Sequence, residues 1–193
     1  QAGNGETNWL PAAVPGCVHT DLLAAGEITD PFYGDNELQV LWVGEADWLY
    51  LRSFSVPEAF LEQKQVLLRC AGLDTLATIR LNGQVIGRSD NMFRTWEFDV
   101  REQLRPGDNE IEILFDSALR VGQEKLGERY IHSWSTDTHK LPGGNYVRKA
   151  AYHFGWDWGP KLVTCGIWRD IDLRAFDTQL SDVHVTQDHS QAG

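Results

Sequence analysis

An all-β fold, a jelly-roll sandwich of two antiparallel sheets with one or two short helices, is what this sequence predicts, on three observations. Short segments of period-two alternation dominate the chain. Turn residues separate them at short intervals. Asn82-Gly83 joins two β-type runs, and it is the dipeptide that best tolerates the positive φ of a tight hairpin. Many short strands with mostly non-local pairing suit a jelly roll.

Thr20 or Asp21 is placed to cap a short helix through Leu22, Leu23 and Ala25, which Gly26 ends. Residues 47–56, DWLYLRSFSV, alternate with Trp48, Tyr50, Phe54 and Val56 suited to a buried face. QVLLRCAGL and LATIRLNGQVIGRS come next as strands, then TWEFDV. RPGDNEIEILFDS couples a turn to a strand from about Glu110 to Phe115. SALRVGQEKLGERY carries the mixed charge of an exposed helix, and GIWRDIDLRAF alternates again. Between His132 and Pro160 no regular element fits, and the Gly, Ser, Thr and aromatic content marks a binding loop. The expected organisation is one domain over residues 1–178, cut at its start, with LSDVHVTQDHSQAG in residues 179–193 as the first strand of a further domain.

At 193 residues and 42% hydrophobic, with eight tryptophans, the chain has material for a substantial core and is not disordered. Its net charge of −11, without a Lys/Arg stripe, argues against nucleic acid and is compatible with a neutral ligand. No apolar run approaches the ~20 residues of a membrane helix, so no membrane partner is expected. QAGNGETNW has neither the basic start nor the apolar centre of a signal peptide. Cys17, Cys70 and Cys165 are odd in number and far apart, and read as free, small buried residues. No metal site, cofactor site, phosphate loop or catalytic triad stands out.

The chemistry concentrates in YHFGWDWGP, residues 152–160. An ionised carboxylate only accepts hydrogen bonds, and vicinal sugar hydroxyls are spaced to donate to both its oxygens. Indoles add flat apolar faces for sugar C–H groups and an N–H at the edge. The other reading makes both indoles core and Asp157 a turn residue bonded to its own backbone. Elsewhere, Asn36 and Glu37 in DPFYGDNE are candidates for the pocket or an interface. Asp170 and Asp172 fit the wet face of a strand, and His153 fits a buried structural role. Arg148 and Lys149 are candidates to brace Asp157 or an inter-domain contact.

The stretch VRKAAYHFGWDWGP resembles the signature of the N-terminal domain of β-mannosidases, within the β-galactosidase/β-glucuronidase superfamily of glycoside hydrolases. PAAVPGCVHTDLLAAGEITDPFYGDNE, WVGEADWLYLRSFSV, GLDTLATIRLNGQVIGRSDNMF and CGIWRDIDLRAF agree in order, so the resemblance runs from about Trp9 to Val185. The LNG hairpin is common to the superfamily, whereas FGWDWGP and DPFYGDNE are similar to the mannosidase branch. The resemblance implies a galactose-binding-like jelly roll followed by immunoglobulin-like domains and a (β/α)8 barrel. It implies retaining hydrolysis of terminal β-mannosides by two barrel glutamates about 5–5.5 Å apart, outside this chain, so no catalytic residue is expected here. Trp156 and Asp157 are implied to hold the terminal mannose; Trp158 matches the motif but is expected to pack beneath the loop, at the pocket or interface. The competing readings are an independent carbohydrate-binding module or lectin, a purely structural domain, and the same domain in a glycosidase for another sugar.

Overall fold

The structure is a computed structural model and describes residues 9–132 and 140–190. Its strands are β1 (Trp48–Val56), β2 (Gln65–Cys70), β3 (Leu73–Asp74), β4 (Ala77–Leu81), β5 (Gln84–Ser89), β6 (Trp96–Asp99), β7 (Gly107–Phe115), β8 (Gly166–Ile167) and β9 (Ile171–Phe176). They form a four-stranded sheet in the order β1-β7-β4-β5, a three-stranded sheet β6-β2-β9, and the pair β3-β8. Every ladder is antiparallel. The fold is therefore the sandwich that the alternation predicts.

The alternation places the core. Ala77, Ile79 and Leu81 of β4 and Ile111, Ile113 and Phe115 of β7 point inward from one sheet; Val66, Leu68 and Cys70 of β2 meet them from the other. Along β1, Trp48, Tyr50, Phe54 and Val56 take the more buried positions, as their spacing requires. Asn82 and Gly83 turn the β4–β5 hairpin with φ of 50° and 81°. Burial raises the pKa of the Cys70 thiol to about 12, with Asp172 adding to the effect, so this cysteine behaves as a small core residue.

Close approach fixes one glycine. Gly87 of β5 lies under the Phe98 ring, where an added Cβ would sit 2.0 Å from Phe98 Cε1. Gly87→Ala is expected to destabilise the chain by about 1–3 kcal/mol through overpacking. A lowered urea midpoint with unchanged slope checks this; an unchanged midpoint would mean that Phe98 yields without cost.

The helices are α1 (Val18–Ala24), α2 (Trp42–Glu45), α3 (Glu58–Leu61) and α4 (Ala118–Glu128). Helix α1 starts before the expected cap: Cys17 is its N-cap, and Thr20 lies inside the first turn, accepting from the Cys17 N–H at 3.3 Å. Asp21 instead faces inward, accepting from the Ala13 N–H and the Tyr50 hydroxyl. Ser117 caps α4 through Arg120 N. Strand β7 begins at Gly107 rather than near Glu110, because Asn109 is buried and bonds the Arg105 and Gly107 carbonyls, joining the turn to the strand. GIWRDIDLRAF splits into β8 and β9 where the Trp168 indole turns in over Gly72 and donates to the Met92 carbonyl. Residues 179–190 form no regular element and are exposed.

Candidate functional site

The stretch from Lys140 to Pro160 crosses one end of the sandwich with two short 3₁₀ turns, Gly144–Tyr146 and Ala151–Phe154. Residues 133–139, also part of the loop expected from sequence, lie outside the described residues. Phe154, 2% exposed, anchors the segment in a cluster with Ala118, Leu119, Val147 and Val163. Its carbonyl accepts from Leu141 N at 2.7 Å. Gly155 then takes φ 102° and ψ 158°, a conformation that only glycine adopts readily, and this redirects the chain outward.

Residues 156–159 close a tight turn. Trp156 N donates to the Gly159 carbonyl at 3.2 Å, and Gly159 N donates back to Trp156 at 3.4 Å. Asp157 and Trp158 are the two corner residues, so both side chains leave the protein surface. Trp156 is half-buried and Asp157 exposed. Among the described residues, no hydrogen bond engages the Asp157 carboxylate, so the turn does not depend on the carboxylate bonding its own backbone. Trp158 corrects the expectation of packing beneath the loop: it is 71% exposed, because a corner of a two-residue turn has no interior side to occupy.

The indoles of Trp156 and Trp158 lie 6.3 Å apart at 37°, and Tyr152 extends the row, 6.4 Å from Trp158. The Lys140 ammonium stands 3.6 Å from the Trp156 ring centroid and occupies one face of it. The sequence alone singles out neither Tyr152 nor Lys140. Tyr152 adjoins the motif and shares its aromatic character, whereas no local signal marks Lys140.

Of the two DPFYGDNE candidates, Glu37 reaches the chain just past the motif: its Oε2 accepts from Lys161 N at 3.3 Å. Asn36 stays within its own loop, donating to the Asp30 carbonyl at 2.9 Å. Arg148 and Lys149 do not brace Asp157. Arg148 pairs with Asp90 at 3.3 Å on the surface. Lys149 is 5% exposed and donates to the Asp74 carboxylate and to the Thr164 carbonyl. Asp172 pairs with Arg69 and Arg174 on the wet face. Among the described residues there is no group of three or more His, Cys, Asp or Glu that would hold a metal, and no helix long and apolar enough to cross a membrane.

The buried charges set a pH dependence. His153 Nδ1 lies 3.6 Å from Asp74, yet burial, with Lys149 helping, lowers the His153 pKa to about 4. Burial and then Lys149 lower His19 to about 4 as well. Both histidines are neutral in the fold at neutral pH, whereas the unfolded chain takes up their protons below about 6.5. The unfolded state then binds more protons, so stability falls as pH drops from about 6.5 toward 4, by up to ~1.4 kcal/mol per pH unit for each histidine. Urea denaturation at successive pH values checks this, and His153→Gln should flatten the slope. An identical slope in that variant would assign the loss to other groups.

Over residues 1–169 the sequence matches the family described as glycosyl hydrolase 2 galactose-binding domain-like. It is 43% identical over 189 residues to beta-mannosidase B of Thermothelomyces thermophilus, covering 96% of this chain and 22% of that protein. Identity to beta-mannosidase B of Emericella nidulans is 42% over 193 residues, covering 95% and 22%. A solved beta-D-mannosidase from Dictyoglomus thermophilum matches with a TM-score of 0.83 and 42% identity, over 89% of this chain and 21% of that one. An exo-chitosanase from Amycolatopsis orientalis shares the fold, with a TM-score of 0.63 at 20% identity, over 91% and 18%. The chain thus spans about a fifth of the length of these relatives.

Proposed function

The chain belongs to the glycosyl hydrolase 2 galactose-binding domain-like family, and on that premise we propose that it is the accessory domain of a retaining β-mannosidase. In this reading it supplies one wall of the site that binds a terminal β-mannosyl residue. Asp157 accepts from adjacent sugar hydroxyls, and Trp156 contacts the ring. A (β/α)8 barrel of the same chain carries the acid/base and nucleophile glutamates, and immunoglobulin-like domains lie between. The exposed Leu180, Val183 and Val185 support taking residues 179–193 as the start of the first of these, since apolar side chains of one segment call for a partner surface. Residues 1–178 are then the galactose-binding-like domain.

The observation that carries the reading is the Asp157 carboxylate, held out on a tight turn between two indoles and engaged by no group among the described residues. A structural turn residue has its acceptor oxygens in use. A ligand-binding one keeps them available on a backbone that does not yield. The relatives bear the name beta-mannosidase and support mannose as the sugar.

The isolated chain is expected to show no hydrolysis of an aryl β-mannoside above background and no binding of mannose at millimolar concentration by calorimetry, because the other wall is missing. Turnover by the isolated chain that a mutation within it abolishes would overturn the assignment of catalysis to the barrel. Appreciable mannose affinity in the isolated chain would make it an independent carbohydrate-binding module.

A further inference from the structure

We propose that the buried Lys149–Asp74 pair is a clamp that sets the position of the 156–159 turn, so that Lys149 and Asp74 are positioning residues acting on turnover through Asp157. The inference rests on Asp157 as the sugar contact and extends that reading to residues that touch no sugar.

The side chain of Lys149 is entirely buried and that of Asp74 is 3% exposed. One ammonium makes two bonds, to the Asp74 carboxylate of β3 and to the Thr164 carbonyl at 2.7 Å. Lys149 precedes the turn in the chain and Thr164 comes after it. The single cation therefore ties both ends of the segment that carries Trp156, Asp157 and Trp158 to a strand of the sandwich. Asp74 is fixed in its turn by the Thr75 hydroxyl. His153, inside the segment, rests 3.6 Å from the same carboxylate oxygen. Burial pulls the Lys149 pKa down and Asp74 opposes that pull, so the ammonium depends on its partner.

Stability alone does not account for such a pair. Desolvating two charges offsets most of their attraction, and well-packed apolar residues do as well. What an ion pair with a second directed bond does provide is a fixed distance between three backbone segments. Apolar contacts of Phe154 and Val163 beside it leave sliding room that directed bonds do not. A carboxylate that must meet two hydroxyls tolerates little displacement, and misplacement by about 1 Å costs up to about 100-fold in rate.

The test uses the complete enzyme and the charge-free variant Asp74→Asn/Lys149→Met, which leaves no lone buried charge, in the wild-type and Asp157→Ala backgrounds. The expected result is a fall of about tenfold in kcat/KM per folded molecule for an aryl β-mannoside in the wild-type background, and less than about twofold after Asp157→Ala. Hydrogen exchange of the same variant of the complete enzyme should quicken in residues 150–163 and not in β4 and β7. Equal costs in both backgrounds, no cost at all, or uniformly faster exchange would overturn the clamp and leave Asp157 as the sugar contact. Full activity in Asp157→Ala alone would overturn the reading of Asp157, and the clamp with it.

Discussion

Asp157→Ala in the complete enzyme is expected to lower kcat/KM for an aryl β-mannoside by roughly 100-fold or more, and Asp157→Asn by roughly tenfold to 100-fold. Hydrogen bonds to a charged group contribute about 1.5–3 kcal/mol each, so one lost contact accounts for the Asn value. Asparagine keeps the shape and one acceptor oxygen but presents an N–H₂ where the second acceptor stood. Alanine removes both acceptors and leaves the sugar hydroxyls unpaired in a closed site. Thermal stability should scarcely change. The side chain is exposed and has no hydrogen bond among the described residues, and substitutions at such positions usually stay within about 0.5 kcal/mol. Steady-state kinetics and a melting curve on the same preparations separate the two effects. An Asn variant that keeps full activity, or one that melts far earlier with unchanged turnover per folded molecule, would make Asp157 a turn residue and nothing more.

The largest effect on folding is expected at Phe115. This ring is fully buried at the end of β7, in register with Trp48 of β1 on one side and Ala77 of β4 on the other. It also meets the Tyr50 ring edge-on at 5.6 Å. Phe115→Ala removes it from the junction of three strands that hydrogen bonding holds in place, so the cavity cannot close. The expected loss is about 3–5 kcal/mol. Urea denaturation reads it directly, and Leu51→Ala on the exposed side of β1 is the control, expected to change little. Equal costs at the two positions would contradict the assignment of inner and outer faces.

The sandwich is legible in the sequence because its signals are local. Alternation in DWLYLRSFSV reports which side chains of β1 face the core, and Asn82-Gly83 reports its own backbone geometry. The boundaries that differ are those that a distant residue decides. Thr20 bonds the Cys17 backbone while Asp21 is drawn away by Tyr50 and Ala13, and the Trp168 indole interrupts β8 and β9 to reach Gly72 and Met92. The site divides the same way. FGWDWGP announces a turn carrying an acid between aromatics. Whether Trp158 lies under that turn or outside it depends on which residues are its corners, and two backbone bonds decide that. Lys149 draws attention as a charge near the motif, but its partner Asp74 is far off in sequence and reaches it only through the sandwich. Glu37 likewise meets Lys161 only in three dimensions.

The central claim is that Asp157 grips the sugar, and the structure of the complete enzyme bound to a mannose-configured inhibitor tests it most directly. The account predicts both Asp157 carboxylate oxygens within about 2.5–3.0 Å of adjacent hydroxyls of the terminal sugar, with the Trp156 ring against it. A sugar seated between the barrel glutamates with the Asp157 carboxylate turned to water, or bonded only to protein groups, would contradict it.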